Sequence, residues 1–221
     1  MSQPPLPPSG VLFDLDGTLL DSAPGLYAAL QAYGAEVAAE IPPYADVREV
    51  VSRGASAVLK TVWPHADAAE LAAHSPRFLE LYAAVMADAS TPFDGVDALL
   101  DGLEAAGIPW GIVTNKPEYL ARQVLPAFGW DTRSAILVGG DTLAERKPHP
   151  LPLLHSARVL GVEPSQCAYV GDDERDIIAA RAAGMPSVVA LWGFRLDLDD
   201  PETWQGDVLA ETPRDLFDPA A

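Results

Sequence analysis

Two carboxylates near the start of the chain have a spacing that suits metal binding. Asp14 and Asp16 follow the apolar run Val11 to Phe13, which predicts a buried strand that ends just before them. On an extended backbone, residues two apart point to the same face, so the two carboxylates are expected to lie together. Two such groups repel unless a proton or a cation lies between them, and Mg²⁺ prefers oxygen ligands. The pair therefore predicts a magnesium site at the end of this strand.

The residues after this pair fit the binding of a phosphate next to the metal. Gly17 allows a tight turn, and Thr18 offers a hydroxyl and an N–H group. The short motif DxDG also suits an ordinary turn, but the full VLFDLDGTLLDS is far more specific. It resembles the first motif of the haloacid dehalogenase superfamily. That resemblance implies that Asp14 is a nucleophile toward phosphorus, and that Asp16 donates and then accepts a proton.

The segment VTNKP resembles the second motif of that superfamily. Thr114 and Asn115 end a predicted strand, just before a helix that starts near Pro117. A helix N-terminus carries partial positive charge and free N–H groups, which favours phosphate binding, although Thr and Asn also serve as simple helix caps. The resemblance implies that Thr114 and Asn115 bind the phosphate. Lys116 is interpreted as a solvent-exposed neighbour.

The segment RKPHP resembles the third motif. Pro148 restricts the backbone of Lys147 toward an extended conformation, which helps to direct its ammonium group. A lysine in such a loop also occurs simply at the surface. The resemblance implies that Lys147 binds the phosphate and offsets its charge. No role is assigned to Arg146.

The segment GDDERDI resembles the fourth motif and places acidic residues where a strand ends and a helix begins. Acidic residues at a helix start also act as ordinary caps. The resemblance implies that Asp172 binds Mg²⁺ together with Asp14 and the backbone carbonyl of Asp16. Asp173 stands where many relatives carry Ser, so it is a possible metal contact through water. Asp176 is expected to orient Lys147 or a metal-bound water.

The spacing of apolar residues predicts a doubly wound, Rossmann-like α/β fold. Strands are expected at 11–13, 109–114, 135–138, 167–170, 187–191 and 208–210, with helices at about 96–107, 117–128, 150–160 and 173–183. Such alternation gives a mainly parallel sheet with ligands at the carboxyl ends of its strands. The carboxylates, the Thr-Asn pair and the second acidic cluster all fall at these ends.

The stretch between the first and second motifs reads as a small all-helical cap. Helices are expected at 24–40, at 46–62 with a break at Gly54, and at 67–86, with no convincing strand. The predicted domains are a core of residues 1–21 and 92–221 and a cap of residues 22–91. Within the cap, Arg53 in SRGAS is a possible contact for a substrate carboxylate, and a solvent-facing arginine is the equally favoured interpretation.

Composition limits the partners. The net charge is −18, from 32 acidic and 14 basic residues, which disfavours nucleic acids and anionic membranes. An anionic substrate would therefore require a site that reverses the field locally. No window of 18 apolar residues suggests a membrane span, so we expect a cytoplasmic monomer or homodimer that acts on a small phosphorylated metabolite.

The remaining features are assigned plain roles. The first ten residues, MSQPPLPPSG, are interpreted as a short flexible lead-in. The single Cys167 lies in CAYVG and is interpreted as a buried strand residue, with a catalytic thiol as the less favoured hypothesis. No His or Cys cluster has zinc-ligand spacing.

The resemblance also implies a reaction class and a substrate class. Dehalogenases of the superfamily lack the second carboxylate, so Asp16 favours phosphoryl transfer. The cap position is similar to that of phosphoglycolate phosphatases and beta-phosphoglucomutases, and VTNKP, KPHPLPLL and LWGFR most resemble the bacterial phosphoglycolate phosphatases. The compact cap, GDD and WQGD favour N-acetylmuramic acid 6-phosphate phosphatases instead. A phosphosugar mutase would share Asp14 and Asp16, and a non-catalytic binding module is the least favoured hypothesis.

Overall fold

The computed structural model describes residues 8–196 and 198–216, so most of the predicted N-terminal lead-in lies outside the described residues. Within the described residues, the eight strands in chain order are β1 (Gly10–Phe13), β2 (Leu20–Asp21), β3 (Thr91–Pro92), β4 (Trp110–Val113), β5 (Leu137–Val138), β6 (Cys167–Gly171), β7 (Ser187–Ala190) and β8 (Val208–Ala210). The nine α-helices are α1 (Ala23–Val37), α2 (Tyr44–Arg48), α3 (Ala55–Val62), α4 (Ala68–Ala89), α5 (Val96–Ala105), α6 (Glu118–Val124), α7 (Trp130–Arg133), α8 (Leu151–Leu160) and α9 (Glu174–Ala183).

Six of the strands form one parallel sheet in the order β5-β4-β1-β6-β7-β8. Strand β1 lies in the middle, where Val11 is paired with Trp110 on one side and with Ala168 on the other. All four residues of β1 are buried, as are those of β4. Such continuous burial is typical of parallel strands that are covered on both faces.

Successive residues of β1 belong to different apolar clusters. Phe13 packs in a cluster with side chains of α5 and α6, whereas Leu12 packs with those of α8 and α9. Neighbouring side chains on a strand point to opposite faces, so helices cover both sides of the sheet. The predicted doubly wound Rossmann-like fold is confirmed. Cys167 is a fully buried residue of β6, as predicted, and burial raises the pKa of its thiol to about 12.

Helices α1 to α4 form the insertion between β2 and β3. These two strands pair antiparallel, with Leu20 opposite Pro92 and Asp21 opposite Thr91, so a short ribbon joins the two ends of the insertion. The sequence did not predict this ribbon, because two residues are too few to show the alternation of a strand.

The predicted break at Gly54 is confirmed and α3 follows it, but the part before the break is not one helix. Helix α2 ends at Arg48, a 3₁₀ turn covers Val51–Arg53, and α3 starts at Ala55. Gly54 has φ +86° and ψ 177°, a backbone conformation that residues other than glycine avoid. The turn Val51–Arg53 therefore ends at a position that favours glycine.

The other predicted helices are present with shifted ends. Helix α1 stops three residues early, where Ala38 adopts a left-handed conformation, and α4 starts from a capping box of Asp67 and Glu70. None of the helices in the described part of the chain has the length and apolar character needed to cross a bilayer.

Candidate active site

The carboxyl ends of three adjacent strands bring the predicted site residues together. Asp14 follows β1, Thr114 follows β4 and Asp172 follows β6, and β1 lies between the other two strands. A cavity of about 260 Å³ opens at these ends, beneath residues of the helical insertion. The core residues that line it include Asp14, Asp16, Thr114, Asn115, Lys116, Arg146 and Arg175, and the insertion supplies Ser52, Arg53, Leu79 and Tyr82 among others.

Asp14 is a buried carboxylate held in a fixed orientation. Its backbone N–H donates to the carbonyl of Val170 at 2.9 Å, which ties the end of β1 to β6. Its Oδ1 accepts a hydrogen bond from the N–H of Leu15 at 2.7 Å and lies 3.0 Å from Nζ of Lys147. One carboxylate oxygen is thus fully engaged, and the side chain still borders the cavity.

Lys147 is a buried cation with three defined contacts. Its Nζ lies 3.0 Å from Asp14, 2.7 Å from Oδ1 of Asp176 and 2.7 Å from the hydroxyl of Tyr169, which itself donates to the carbonyl of Val113 at 2.9 Å. Burial alone would lower the pKa of Lys147, but Asp14 and Asp176 offset burial and raise the pKa above its usual value. The ammonium therefore stays charged next to Asp14.

Asp172 is fully buried and accepts hydrogen bonds at both oxygens. Oδ2 accepts from the hydroxyl of Ser52 at 2.6 Å and from the N–H of Phe194 at 2.9 Å, and Oδ1 accepts from the hydroxyl of Thr18 at 3.1 Å. Its pKa is raised well above the usual value by burial and by the nearby carboxylates of Asp14 and Asp176.

Close backbone packing surrounds this carboxylate. Gly17 has φ +89°, and a Cβ atom there would overlap the carboxylate of Asp172, as would a Cβ at Gly193. The segment LWGFR contacts the first and the fourth motif. Trp192 Nε1 donates to the carbonyl of Thr18 at 2.9 Å, and the N–H of Phe194 donates to Asp172. Glycine is required at Gly17 both for its conformation and for the space it leaves.

The acidic residues fit a divalent cation that prefers oxygen ligands. Carboxylate oxygens of Asp14, Asp172 and Asp176 lie within 4.8 Å of one another, and all three residues are buried. Burial and repulsion between carboxylates raise the pKa of Asp172. A cation between Asp14 and Asp172 would offset both effects, because it would stabilise the buried negative charge. The donor set consists of oxygen atoms alone, which matches Mg²⁺. Asp176 already pairs with Lys147, as one of its two predicted roles requires.

Asp16 and Asp173 lie outside that acidic group in the described chain. The carboxylate of Asp16 faces Lys116, so only its backbone could join Asp14 at a metal. Asp173 caps α9 by accepting from the N–H of Arg175 at 3.0 Å, and its Oδ1 lies 2.7 Å from Nε of the same arginine. Asp173 thus makes a capping contact and an ion pair through Oδ1, and its possible contact with metal through water stays a prediction.

Lys116 corrects a prediction, since it is a buried part of the site and not a solvent-exposed neighbour. Its Nζ lies 3.0 Å from each carboxylate oxygen of Asp16 and 2.7 Å from the hydroxyl of Tyr82 on α4. One available signal was its rarity, because the chain has only three lysines and 32 acidic residues. Ser52 and Tyr82 carried no such signal, because their roles depend on where the insertion packs.

Thr114 and Asn115 occupy different positions within the cavity wall. Thr114 has its Oγ1 at the cavity, where it accepts from the N–H of Lys116 at 3.2 Å. Asn115 donates from Nδ2 to the carbonyl of Lys147 at 2.9 Å, so its amide holds the loop that carries the cation. Its Oδ1 is buried and has no hydrogen-bond partner in the described part of the chain.

The insertion contributes Ser52 and Arg53 through the turn Val51–Arg53. Nη2 of Arg53 lies 3.1 and 3.2 Å from the two carboxylate oxygens of Asp199, and the side chain borders the cavity while 43% exposed. Nη2 of Arg175 donates to the carbonyl of Ser52 at 2.7 Å, which fastens the turn to α9.

Positive charge is concentrated around the cavity. Four of the 14 basic residues line it, and Lys147 lies behind Asp14; the four are Arg53, Lys116, Arg146 and Arg175. The lining has four cations and two carboxylates, those of Asp14 and Asp16, whereas the whole chain has a net charge of −18. Three of these cations pair with carboxylates, but the lining is still less negative than the rest of the chain, which favours an anionic ligand.

The sequence of this chain is similar to those of known hydrolases. The family model of the haloacid dehalogenase-like hydrolases matches residues 8–184. A phosphoglycolate phosphatase of Xanthomonas campestris is 58% identical over 97% of each chain, and an N-acetylmuramic acid 6-phosphate phosphatase of Pseudomonas aeruginosa is 40% identical over 94% of this chain and 92% of that protein.

A solved structure extends the likeness to the fold. The crystal structure of a predicted phosphoglycolate phosphatase from Haemophilus somnus superposes with a TM-score of 0.85 at 27% identity and covers 96% of this chain and 97% of that one. The family match spans all four motifs that meet at the cavity. The chain therefore belongs to the haloacid dehalogenase-like hydrolase family.

Proposed function

We propose that this hydrolase is a Mg²⁺-dependent phosphomonoester phosphatase that converts 2-phosphoglycolate to glycolate and phosphate. The observation that carries the proposal is the position of Asp14, which borders a cavity lined by cations. Its Oδ1 lies 3.0 Å from Nζ of Lys147, and its carboxylate lies close to that of Asp172. A carboxylate among these groups can act as a nucleophile toward phosphorus. The nearby cations offset the repulsion between an anionic substrate and the negatively charged chain.

In the first half of the reaction, Asp14 acts as the nucleophile. An oxygen of Asp14 forms a bond to phosphorus while the bond from phosphorus to the ester oxygen breaks, which leaves an aspartyl phosphate. Asp16 gives a proton to the departing oxygen, so the alcohol leaves neutral. The ammonium of Lys147 and the hydroxyl of Thr114 balance the charge on the transferred phosphoryl group.

In the second half, water releases the phosphate. Asp16, now a carboxylate, takes a proton from the water as its oxygen attacks phosphorus, and the bond to Asp14 breaks. Inorganic phosphate leaves, Asp14 is again a free carboxylate, and Asp16 again carries a proton. Mg²⁺ held by Asp14, Asp172 and the carbonyl of Asp16 would shield the nucleophile from the negative charge of the phosphate.

Two observations support a small carboxylate-bearing substrate. Arg53 on the insertion borders the cavity and offers a guanidinium group for a carboxylate, and the cavity volume of about 260 Å³ favours a compact molecule. The relative at 58% identity is named for phosphoglycolate, and the relative at 40% is named for N-acetylmuramic acid 6-phosphate. The latter substrate also carries a carboxylate, so it is the second candidate.

The test is phosphate release from both esters under the same conditions. We expect a higher kcat/KM for 2-phosphoglycolate than for N-acetylmuramic acid 6-phosphate, loss of activity in EDTA and its return with Mg²⁺. Asp14→Asn should abolish turnover while circular dichroism shows an intact fold. Metal-independent turnover would contradict the proposal, a reversed preference would select the second substrate, and isomerisation of a phosphosugar without phosphate release would indicate a mutase.

A further inference from the structure

Three side chains connect the insertion to the proton-transfer group. Nζ of Lys116 lies 3.0 Å from both carboxylate oxygens of Asp16 and 2.7 Å from the hydroxyl of Tyr82. The same ammonium lies 4.5 Å from the centre of the Tyr82 ring, which adds a cation–π contact. The side chain of Lys116 is only 5% exposed, and that of Asp16 is 15% exposed. Few water molecules can therefore replace these contacts.

Tyr82 belongs to α4, and α4 is packed on the core next to this residue. Nε2 of Gln123 on α6 donates to the carbonyl of Ala83 at 2.8 Å, and Tyr82 itself is 1% exposed. Leu79 of α4 and Leu120 of α6 both line the cavity. The Tyr82 hydroxyl is thus held at a fixed position relative to the end of β4.

We propose that Tyr82 is a positioning residue that holds Lys116 against Asp16, so that Asp16 is oriented for proton transfer only when α4 is packed on the core. The proposal rests on the function proposed above and extends it to residues outside the four motifs. Tyr82 touches neither the phosphoryl group nor the metal site in this scheme. It acts through Lys116 alone.

The physical reason lies in the chemistry of a buried ammonium group. A lysine side chain has a flexible stem of four methylene groups and an ammonium group with three N–H donors. Each buried donor needs an acceptor. Two donors are directed to Asp16, and the hydroxyl of Tyr82 accepts the third. Without that hydroxyl, the ammonium is expected to move toward another acceptor and release at least one oxygen of Asp16.

The test compares two esters whose leaving groups differ in their need for a proton. The alkoxide of 2-phosphoglycolate must be protonated as it leaves, whereas p-nitrophenolate leaves p-nitrophenyl phosphate as a stable anion. For Tyr82→Phe we expect kcat/KM on 2-phosphoglycolate to fall about tenfold, which is a part of the 10²–10⁴-fold acceleration that a general acid contributes. The value on p-nitrophenyl phosphate should change less than about twofold.

The matched control is Tyr33→Phe, which removes a tyrosine hydroxyl inside the insertion that bonds to Nδ1 of His74 at 2.7 Å. This variant should leave the ratio of the two kcat/KM values unchanged. That ratio does not depend on the fraction of enzyme that is folded, so a destabilised Tyr82→Phe variant still gives a clear result.

Three outcomes would overturn the inference. They are an equal fall for both esters, no fall for either, and a changed ratio in the Tyr33→Phe control. An equal rise in KM for both esters would instead assign Lys116 to binding the phosphoryl group. If the wild-type chain hydrolyses neither ester, the proposed function itself is wrong, and with it the proton-transfer role of Asp16.

Discussion

Asp172 illustrates how far a single residue depends on its surroundings. It is fully buried, accepts three hydrogen bonds and lies beside two other carboxylates, and these neighbours and its burial raise its pKa well above the usual value. The folded chain thus holds a proton at this position more tightly than the unfolded chain does. Without a metal, the group stabilises the fold fully below pH about 4, and this stabilisation is lost as the pH rises through the raised pKa.

We therefore expect Asp172→Asn to stabilise the metal-free protein at pH 7. An amide can keep all three contacts, with its oxygen facing Phe194 and Ser52 and its nitrogen donating to Thr18. A gain of about 1 kcal/mol would raise the melting temperature by roughly 2–4 °C in a chain of this size. Calorimetry in EDTA should show this gain at pH 7 and a smaller gain near pH 4.

Two further measurements make this prediction specific. Mg²⁺ should raise the melting temperature of the wild type and leave that of Asp172→Asn nearly unchanged, because the variant lacks the ligand. Asp173→Asn is the control, since asparagine also caps a helix but loses the ion pair with Arg175. A metal-free Asp172→Asn variant that melts below the wild type at pH 7 would refute the argument.

At the scale of elements, the turn Val51–Arg53 determines how the insertion meets the core. It carries Ser52 to Asp172 and Arg53 to the cavity, and its carbonyl at Ser52 accepts from Arg175. Its direction is set by Gly54, whose φ of +86° and ψ of 177° strain any other residue. Two contacts with the site thus depend on the backbone conformation of one glycine.

Gly54→Ala should therefore impair catalysis as well as stability. We expect a loss of about 1–3 kcal/mol of unfolding free energy from the strained backbone. A fall of about tenfold in kcat/KM for 2-phosphoglycolate should accompany it, because Ser52 and Arg53 shift. Chemical denaturation and steady-state kinetics measure the two effects separately.

Gly161→Ala provides the comparison for this substitution. Gly161 ends α8 in a left-handed conformation with φ +72°, and a Cβ atom there meets nothing within 4 Å, as at Gly54. That variant should lose about 1 kcal/mol of stability and keep its kcat/KM. If the two variants have the same kinetics, the turn does not orient the site.

At the scale of the whole molecule, charge and packing combine at the boundary between the insertion and the core. The chain carries −18 overall, yet its cavity has four lining cations, and one of them, Arg53, is paired across that boundary with Asp199. An exposed ion pair of this kind contributes little to stability, so its carboxylate can be exchanged for that of a substrate. The same guanidinium can therefore bind either Asp199 or a ligand.

Arg53→Ala is expected to raise KM for 2-phosphoglycolate about tenfold and to change kcat less than about twofold, because it removes binding that is common to the ground and transition states. Hydrolysis of p-nitrophenyl phosphate, which has no carboxylate, should be nearly unaffected. Asp199→Ala removes the competing carboxylate and should leave KM equal or lower. A loss of turnover alone in Arg53→Ala would contradict this role.

Local sequence was sufficient to predict a parallel sheet, the alternation of its strands and helices along the chain, and most of the residues at its carboxyl ends. Apolar runs mark buried strands, and Asp14, Thr114 and Asp172 each follow such a run directly. Strands of a parallel sheet have their carboxyl ends at one edge, so the sequence predicted that these residues share an edge, and the structure showed that β4, β1 and β6 are neighbours. Family membership followed from the same four segments.

Contacts between distant segments were decided only by the tertiary structure. Lys116 is buried because Tyr82, 34 residues earlier, covers it, and Ser52 reaches Asp172 across a separation of 120 residues. The break at Gly54 was predicted from the sequence, but the 3₁₀ turn Val51–Arg53 before it was not, and Arg175 of α9 holds this turn through the carbonyl of Ser52. Periodicity records which face of a segment is apolar, whereas the packing of the insertion on the core sets which polar side chains meet there.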